Sequence, residues 1–299
     1  VGDVIDRAWS VEGWNPALDG HYLDVMGLGQ EFPVARVHRR VGVPSDLPLH
    51  LKQFVDAPDP TITADDQRAV YSWELDGVPA FSFDAYARGS HEQIPWVQLS
   101  DFDSWGQVID WALPLYEPGE ISDELATAIA EWDQEETPED KLQAALAFVQ
   151  DDVRYLGIEM GPRGLIPHGV SETFGRRFGD CKDKSLLLAT ALNEMGIEAH
   201  PALVHTRRQR GVRELHPTAY AFNHAIVRAR IDGEELWLDA TRSYERGRPT
   251  HMEPPRFESA LVLESGGSGL SEMSAAKLEH PQVEREEIYA ATELYGPVS

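Results

Sequence analysis

The stretch that most restricts the architecture is RFGDCKDKSLLLATAL, residues 177–192, which holds the one cysteine of the chain. Asp180 is a good N-cap and Asp183, three positions on, completes a capping box. Leu187, Leu188, Ala191, Leu192 and Met195 then recur at helical spacing as far as Gly196. A helix is therefore predicted to begin at Cys181. A free cysteine is ordinarily a small buried apolar group, and core packing is the plain reading of one. At a helix N-terminus, however, unpaired backbone N–H groups and the positive end of the macrodipole favour an anion, so this position suits a thiolate.

A thiolate nucleophile needs a base to take its proton and a third group to hold that base in the right tautomer. The segment FNHAIVRARI, DG, EELWLDA reads as a hairpin with a two-residue turn at Asp232 and Gly233. That turn sets Ile231 opposite Glu234 and His224 opposite Thr241, with Asp239 diagonal to His224 on the same face. Diagonal neighbours are within reach of an imidazole, whereas a one-residue slip would send Asp239 to the other face. Taken singly, a strand histidine is more often a tolerated residue, and an Asp after LWL can simply end a strand. In the order Cys181, His224, Asp239 they form a candidate triad.

The rest of the chain frames this region. Before Ser104 the pattern is strand-like: in RAVYSWEL, Ala69, Tyr71, Trp73 and Leu75 alternate with other positions, and LPLHLKQFV behaves similarly. SWGQVIDWALPLYEPGE then holds a short helix that Pro114 and Pro118 end. ISDELATAIAEWDQEE reads as a helix with a solvated acidic end. TPEDKLQAALAFVQDDV reads as a second helix, capped by Thr137 with Pro138 at its first position and Leu142, Ala145, Leu146 and Val149 as its buried stripe. A short strand near 153–158 precedes the cysteine helix, and IEAHPALVHT follows it. Helices first and strands afterwards make this an α+β domain. The division expected is a β-rich N-terminal domain over 1–117, a catalytic core over 118–250, with a cleavable joint near 117–122, and a strand-containing extension over 251–299.

Charge excludes some functions. With 51 acidic against 26 basic residues the formal net charge is −25, which opposes binding to a phosphate backbone or an anionic lipid surface. One cysteine permits no internal disulfide and no paired-cysteine metal site. His200, His205 and His216 match no usual zinc spacing. No 18-residue apolar run is present, and Val1 is not expected to begin a signal peptide. The start at valine and the strand-like end of VEREEIYAATELYGPVS suggest a fragment of a longer protein.

The segments GDCKDKSLLLATALNEMGIEAHPALV, FNHAIVRARIDG and LWLDAT resemble the core of the transglutaminase-like superfamily over roughly residues 120–250. The resemblance implies a papain-like α+β core, with a helix carrying Cys181 packed on an antiparallel sheet. In it Cys181 is the nucleophile, His224 the base and Asp239 the residue that orients the base. It implies thiol-dependent acyl transfer on a protein or peptide substrate, with no metal and no organic cofactor. Hydrolysis, as in a cysteine protease or amidase, is the less demanding outcome; a cross-linking transglutaminase is the alternative. A non-enzymatic peptide- or glycan-binding module is the reading of another class.

The backbone N–H of Cys181 is the natural first oxyanion donor, and relatives' use of an upstream aromatic side chain makes Tyr155 the second candidate. Asn223 could brace the site, although strand alternation points it away from His224. Arg207 and Arg208, in TRRQRGVREL, are candidates for selecting acidic substrate groups, against the ordinary reading of a solvated loop. PAFSFDAYARGSHEQIPWVQLSDFDSWGQVIDW is similar to a β-rich domain of unknown function that precedes such cores in bacterial proteins, usually in longer form. Export is common there, so a periplasmic or extracellular location is expected.

Overall fold

A computed structural model describes residues 13, 15–81, 94–157, 159–247 and 252–273 of the chain. The N-terminal part is built from β1 (Leu23–Gly27), β2 (Val34–Pro44), β3 (His50–Phe54), β4 (Thr61–Ala64), β5 (Arg68–Val78) and β6 (Trp96–Ser100). They form two antiparallel three-stranded sheets, ordered β1-β6-β3 and β2-β5-β4. Val41, Val43 and Trp73 of the second sheet meet Val97 and Leu99 of the first in a compact apolar cluster. The buried Trp73 satisfies its indole N–H on the Pro58 carbonyl at 3.0 Å, the usual arrangement for a buried tryptophan.

Three helices follow, α1 (Trp105–Ala112), α2 (Asp123–Trp132) and α3 (Pro138–Asp151). Ser104, Ser122 and Thr137 cap them by accepting backbone N–H bonds three residues on. Leu142, Ala145, Leu146 and Val149 of α3 are fully buried, as their spacing requires. The strand expected near 153–158 is the short β7 (Arg154–Tyr155), paired in parallel with β8 (Phe178–Gly179), which follows α4 (Val170–Arg176).

The centre of the molecule is α5 (Cys181–Glu194) against a five-stranded antiparallel sheet. That sheet comprises β9 (Ala199–Val204), β10 (His224–Ile231), β11 (Glu234–Leu238), β12 (Ser259–Val262) and β13 (Ser271–Glu272), in the order β11-β10-β9-β12-β13. Strand alternation splits the sheet's side chains between two clusters. Leu203, Ala225, Val227 and Leu238 join the α5 leucines in the main core, while Ala202, Val204, Ile226 and Trp237 form a second cluster. The β10–β11 turn has both central residues left-handed, Asp232 at φ 51° and Gly233 at φ 84°, the combination a two-residue type I′ turn requires. Ile231 pairs with Glu234 and the ladder runs to Val227 opposite Leu238, in the expected register.

The parts are joined more tightly than the expected division suggests. Val108, Ile109 and Ala112 of α1 lie in the main core cluster, so α1 packs with the segment that follows residue 117. β12 pairs with β9, which makes residues 259–262 a strand of the central sheet. The segment 117–122 is tied down: Val170 donates to the Pro118 carbonyl at 3.0 Å, the Ser171 hydroxyl donates to the Glu120 carbonyl at 2.7 Å, and Ser122 N–H donates to that hydroxyl at 2.8 Å. The N-terminal sheet is pinned to the core by Gln98, whose amide donates to the His216 carbonyl at 2.7 Å and accepts from the His216 N–H at 3.1 Å. Residues 274–299 of the expected extension lie outside the described residues.

Candidate active site

The site is assembled around the first turn of α5. Asp180 accepts from the N–H groups of Lys182 at 2.9 Å and Asp183 at 3.2 Å, and the Asp183 carboxylate accepts from the Asp180 N–H at 3.1 Å, completing the capping box. Asp183 is also held by Arg176 at 2.7 Å and by the His168 N–H at 2.7 Å. Gly179 is needed here, because a Cβ at that position would lie 2.6 Å from the Asp183 Cβ. Lys182 is buried against Asp180 at 2.6 Å. Lys184 is buried too, donating to the Val153 carbonyl at 2.6 Å. Burial lowers its pKa to about 8, against the opposing pull of Asp239 and Asp151. The charged run DCKDK is therefore an interior network; its charges are satisfied by one another, by backbone and by Arg176, as buried charges must be.

Cys181, the first residue of this helix, is 4% exposed and borders an open cleft that His224 also lines. His224 is the first residue of β10. Its Nε2–H donates to Asp239 Oδ2 at 3.1 Å, with side chains 11% and 7% exposed, which leaves Nδ1 for the thiol. Burial works against the imidazolium, but the bonds and charges of Asp239 and Cys181 outweigh it and raise the His224 pKa to about 9. Asp239 directly follows β11, and its other oxygen accepts from the Thr241 hydroxyl at 2.7 Å and N–H at 3.0 Å. Burial opposes its ionisation, yet His224 and Thr241 hold its pKa below the usual carboxylate range. Gln150 of α3 donates to the Asp239 carbonyl at 3.1 Å, and Ser185 of α5 to the Ala225 carbonyl at 3.0 Å, so helix and hairpin are bolted together on both sides of the pair.

The other residues singled out from the sequence are dispersed. Tyr155 is half exposed on β7, outside the cleft lining, paired with Gly179. Partial burial and the negative groups of Cys181, Glu159, Asp180 and Asp239 raise its pKa to about 12, so it keeps its proton. Asn223 lines the cleft, but its amide is committed to Thr206, accepting from the N–H at 2.9 Å and donating to the hydroxyl at 3.1 Å. Arg207 and Arg208 do not line the cleft; their N–H groups cap onto His205, and the Arg208 guanidinium lies 4.8 Å from the Trp96 ring centroid.

Tyr116, just past α1, was not marked by any sequence signal beyond the proline-ended helix. It lines the cleft, and burial followed by the negative groups of Cys181, Asp180 and Asp183 keeps its phenol protonated. Among the described residues the grouping close enough to hold a metal is Glu198, His200 and Glu264. Arg228 donates to both carboxylates, at 3.2 and 2.9 Å, which makes it an ion-pair cluster.

These features define an α+β fold in which the helix that begins at Cys181 packs on an antiparallel sheet, next to a β-rich N-terminal region. Residues 1–82 match the domain of unknown function with a solved structure, DUF3857; the match lies N-terminal to most of 79–111, the stretch whose resemblance suggested such a domain. Among solved structures the chain is similar to a candidate protease from Parabacteroides distasonis, at 18% identity and TM-score 0.65 over 83% of this chain and 47% of that one. The chain thus spans about half the length of that protein. A candidate cysteine protease from Cytophaga hutchinsonii is 17% identical over 73% of this chain and 70% of that one, with TM-score 0.32. The periplasmic domain of TgpA from Pseudomonas aeruginosa is 16% identical over 77% of this chain and 85% of that one, with TM-score 0.31. Only the first overlap is close enough to bear on the fold. No curated protein matches the chain in sequence at a significant level. Among the described residues no helix is long and apolar enough to cross a membrane.

Proposed function

We propose that the protein is a thiol acyl-transfer enzyme acting on peptide or carboxamide bonds, with water as the final acceptor. The observation that carries this reading is the His224–Asp239 hydrogen bond beside a cysteine at a helix N-terminus, with Cys181 and His224 lining one cleft. The thiolate of Cys181 attacks the substrate carbonyl, an S–C bond forms, and the carbonyl electron pair moves to oxygen. The resulting oxyanion meets the backbone N–H of Cys181, which as the first helical N–H has no carbonyl four residues back. The protonated phenol of Tyr116, which lines the cleft, is the nearer side-chain candidate for a second donor, and that of Tyr155, outside the lining, is the other.

Collapse of this intermediate breaks the C–N bond while the imidazolium gives its proton to the leaving amine. Water, deprotonated by His224, then attacks the thioester, the S–C bond breaks, and the acid leaves with the thiolate restored. Water needs no binding site of its own, which makes hydrolysis the less demanding outcome. Cys181→Ala is expected to abolish turnover of peptide substrates while the fold is retained; full turnover by that variant refutes the mechanism. Of Tyr116→Phe and Tyr155→Phe, the one that removes the oxyanion donor lowers kcat about 100-fold with little change in KM; unchanged kcat in both assigns that role elsewhere.

A further inference from the structure

The cleft beside Cys181 has a volume of about 340 Å³, near the lower end for small-ligand sites and suited to a large side chain. Its walls come from three distant parts of the chain: Trp111 on α1, Leu165 after α3, and Leu203, Tyr220 and Phe222 from the sheet and the loop before β10. Each presents aromatic or aliphatic carbon. Four of the polar side chains that line it are already engaged. The Trp111 indole N–H donates to the Ala17 carbonyl at 2.9 Å, which leaves its ring to the cleft. Asn223 is spent on Thr206. Asn15 accepts from the Ala17 N–H at 3.1 Å and donates to the Gly161 carbonyl at 3.5 Å. The lining lysine, Lys182, is neutralised by Asp180 at 2.6 Å. Glu159, the carboxylate among the described lining residues, is exposed.

A charged side chain entering this space would give up its water for walls that are mainly aromatic and aliphatic carbon, which is unfavourable. A bulky apolar side chain would instead bury its surface against rings and aliphatic carbon. We propose that the cleft selects peptides carrying a bulky apolar residue, aromatic or branched aliphatic, on the acyl side of the bond that Cys181 attacks. The proposal rests on the thiol acyl-transfer reading and names the substrate class of that site. It also gives the N-terminal part a task, since Asn15 and the Ala17 carbonyl hold one wall in place.

The test uses three acyloxymethyl ketone tripeptides that differ only in the two residues next to the ketone, which are Phe, Asp or Lys. Each is incubated with the full chain, and alkylation of Cys181 is followed by mass spectrometry beside iodoacetamide, which needs no side-chain pocket. The Phe probe is expected to react at least about tenfold faster than the Asp and Lys probes. In Leu165→Arg, a half-buried position at the end of a loop, the ratio of Phe to Asp rates is expected to fall at least about tenfold. If that variant does not fold, the ratio in the unmodified chain decides. Equal or faster labelling by the Asp or Lys probe, with iodoacetamide still reacting, overturns the selectivity and leaves the thiol chemistry standing. A native chain in which iodoacetamide also fails to label Cys181 overturns the thiol reading itself.

Discussion

Asp239 makes five polar contacts: its carboxylate accepts from His224, from the Thr241 hydroxyl and from the Thr241 N–H, and its carbonyl accepts from Gln150 and from the Arg242 N–H. Asp239→Asn keeps the size of the side chain but can turn an N–H toward His224, favouring the wrong ring tautomer. The expected result is an intact fold by circular dichroism and a rate lower by about 10⁴, the loss seen when the same tautomer control is removed from a Ser-His-Asp site. A variant within tenfold of the parent would assign Asp239 to structure alone. His224 carries a second prediction. Its pKa rises from 6.5 to about 9 on folding, so between those values the folded state holds a proton that the unfolded state has released. Its contribution to stability is complete below pH 6.5 and is lost as pH climbs through 9. Urea denaturation from pH 6.5 to 9 should show stability falling more steeply in the parent than in His224→Gln; identical slopes would contradict the raised pKa.

The cap of α5 does more than start a helix. Asp183 serves the Asp180 N–H, Arg176 and His168 together, and the close approach of Gly179 makes room for it. Gly179→Ala forces a Cβ to 2.6 Å from another Cβ that is itself held by three partners, so the strain cannot be relieved by a flexible side-chain end. A loss of about 1–3 kcal/mol in chemical denaturation is expected, together with slower iodoacetamide labelling as the helix N-terminus shifts under Cys181. Unchanged stability would show that the cap can relax. The hairpin has a comparable dependence on its turn: Asp232 and Gly233 set the register that brings Asp239 to His224.

The two regions of the molecule are coupled through Gln98, which is 2% exposed and exchanges two hydrogen bonds with the backbone of His216. Ser100 adds a bond to the Pro217 carbonyl at 2.7 Å, and Trp96 packs with Val212, Leu215 and Ala221. This contact holds the segment that leads to Tyr220, Phe222 and His224. Gln98→Leu leaves the His216 N–H and carbonyl without those partners and should cost about 1–3 kcal/mol. One cooperative unfolding transition is expected in both parent and variant, measured by fluorescence and circular dichroism. Two separated transitions in the parent would show that the N-terminal sheets and the core fold as independent units.

Local chemistry was legible in the sequence wherever a signal is contained within a few residues. The capping box at Asp180 and Asp183, the Thr137 cap with Pro138, the buried stripe of α3 and the Asp232–Gly233 turn are all short-range patterns, and the pairing of His224 with Asp239 followed from counting back from that turn. The wrapping of the molecule was not legible in this way. DCKDK reads as the charged, capped start of a helix, and only packing against α3 and α4 turns it into an interior network with Lys184 on the Val153 carbonyl. Tyr116, Trp111 and Leu165 meet at one cleft through contacts between distant elements, and no local pattern records such a meeting. The joining of β12 to β9 and of α1 to the main core likewise depends on which apolar faces find each other. Caps and turns are decided by bonds between near neighbours along the chain, whereas a cleft is decided by which distant surfaces exclude water together.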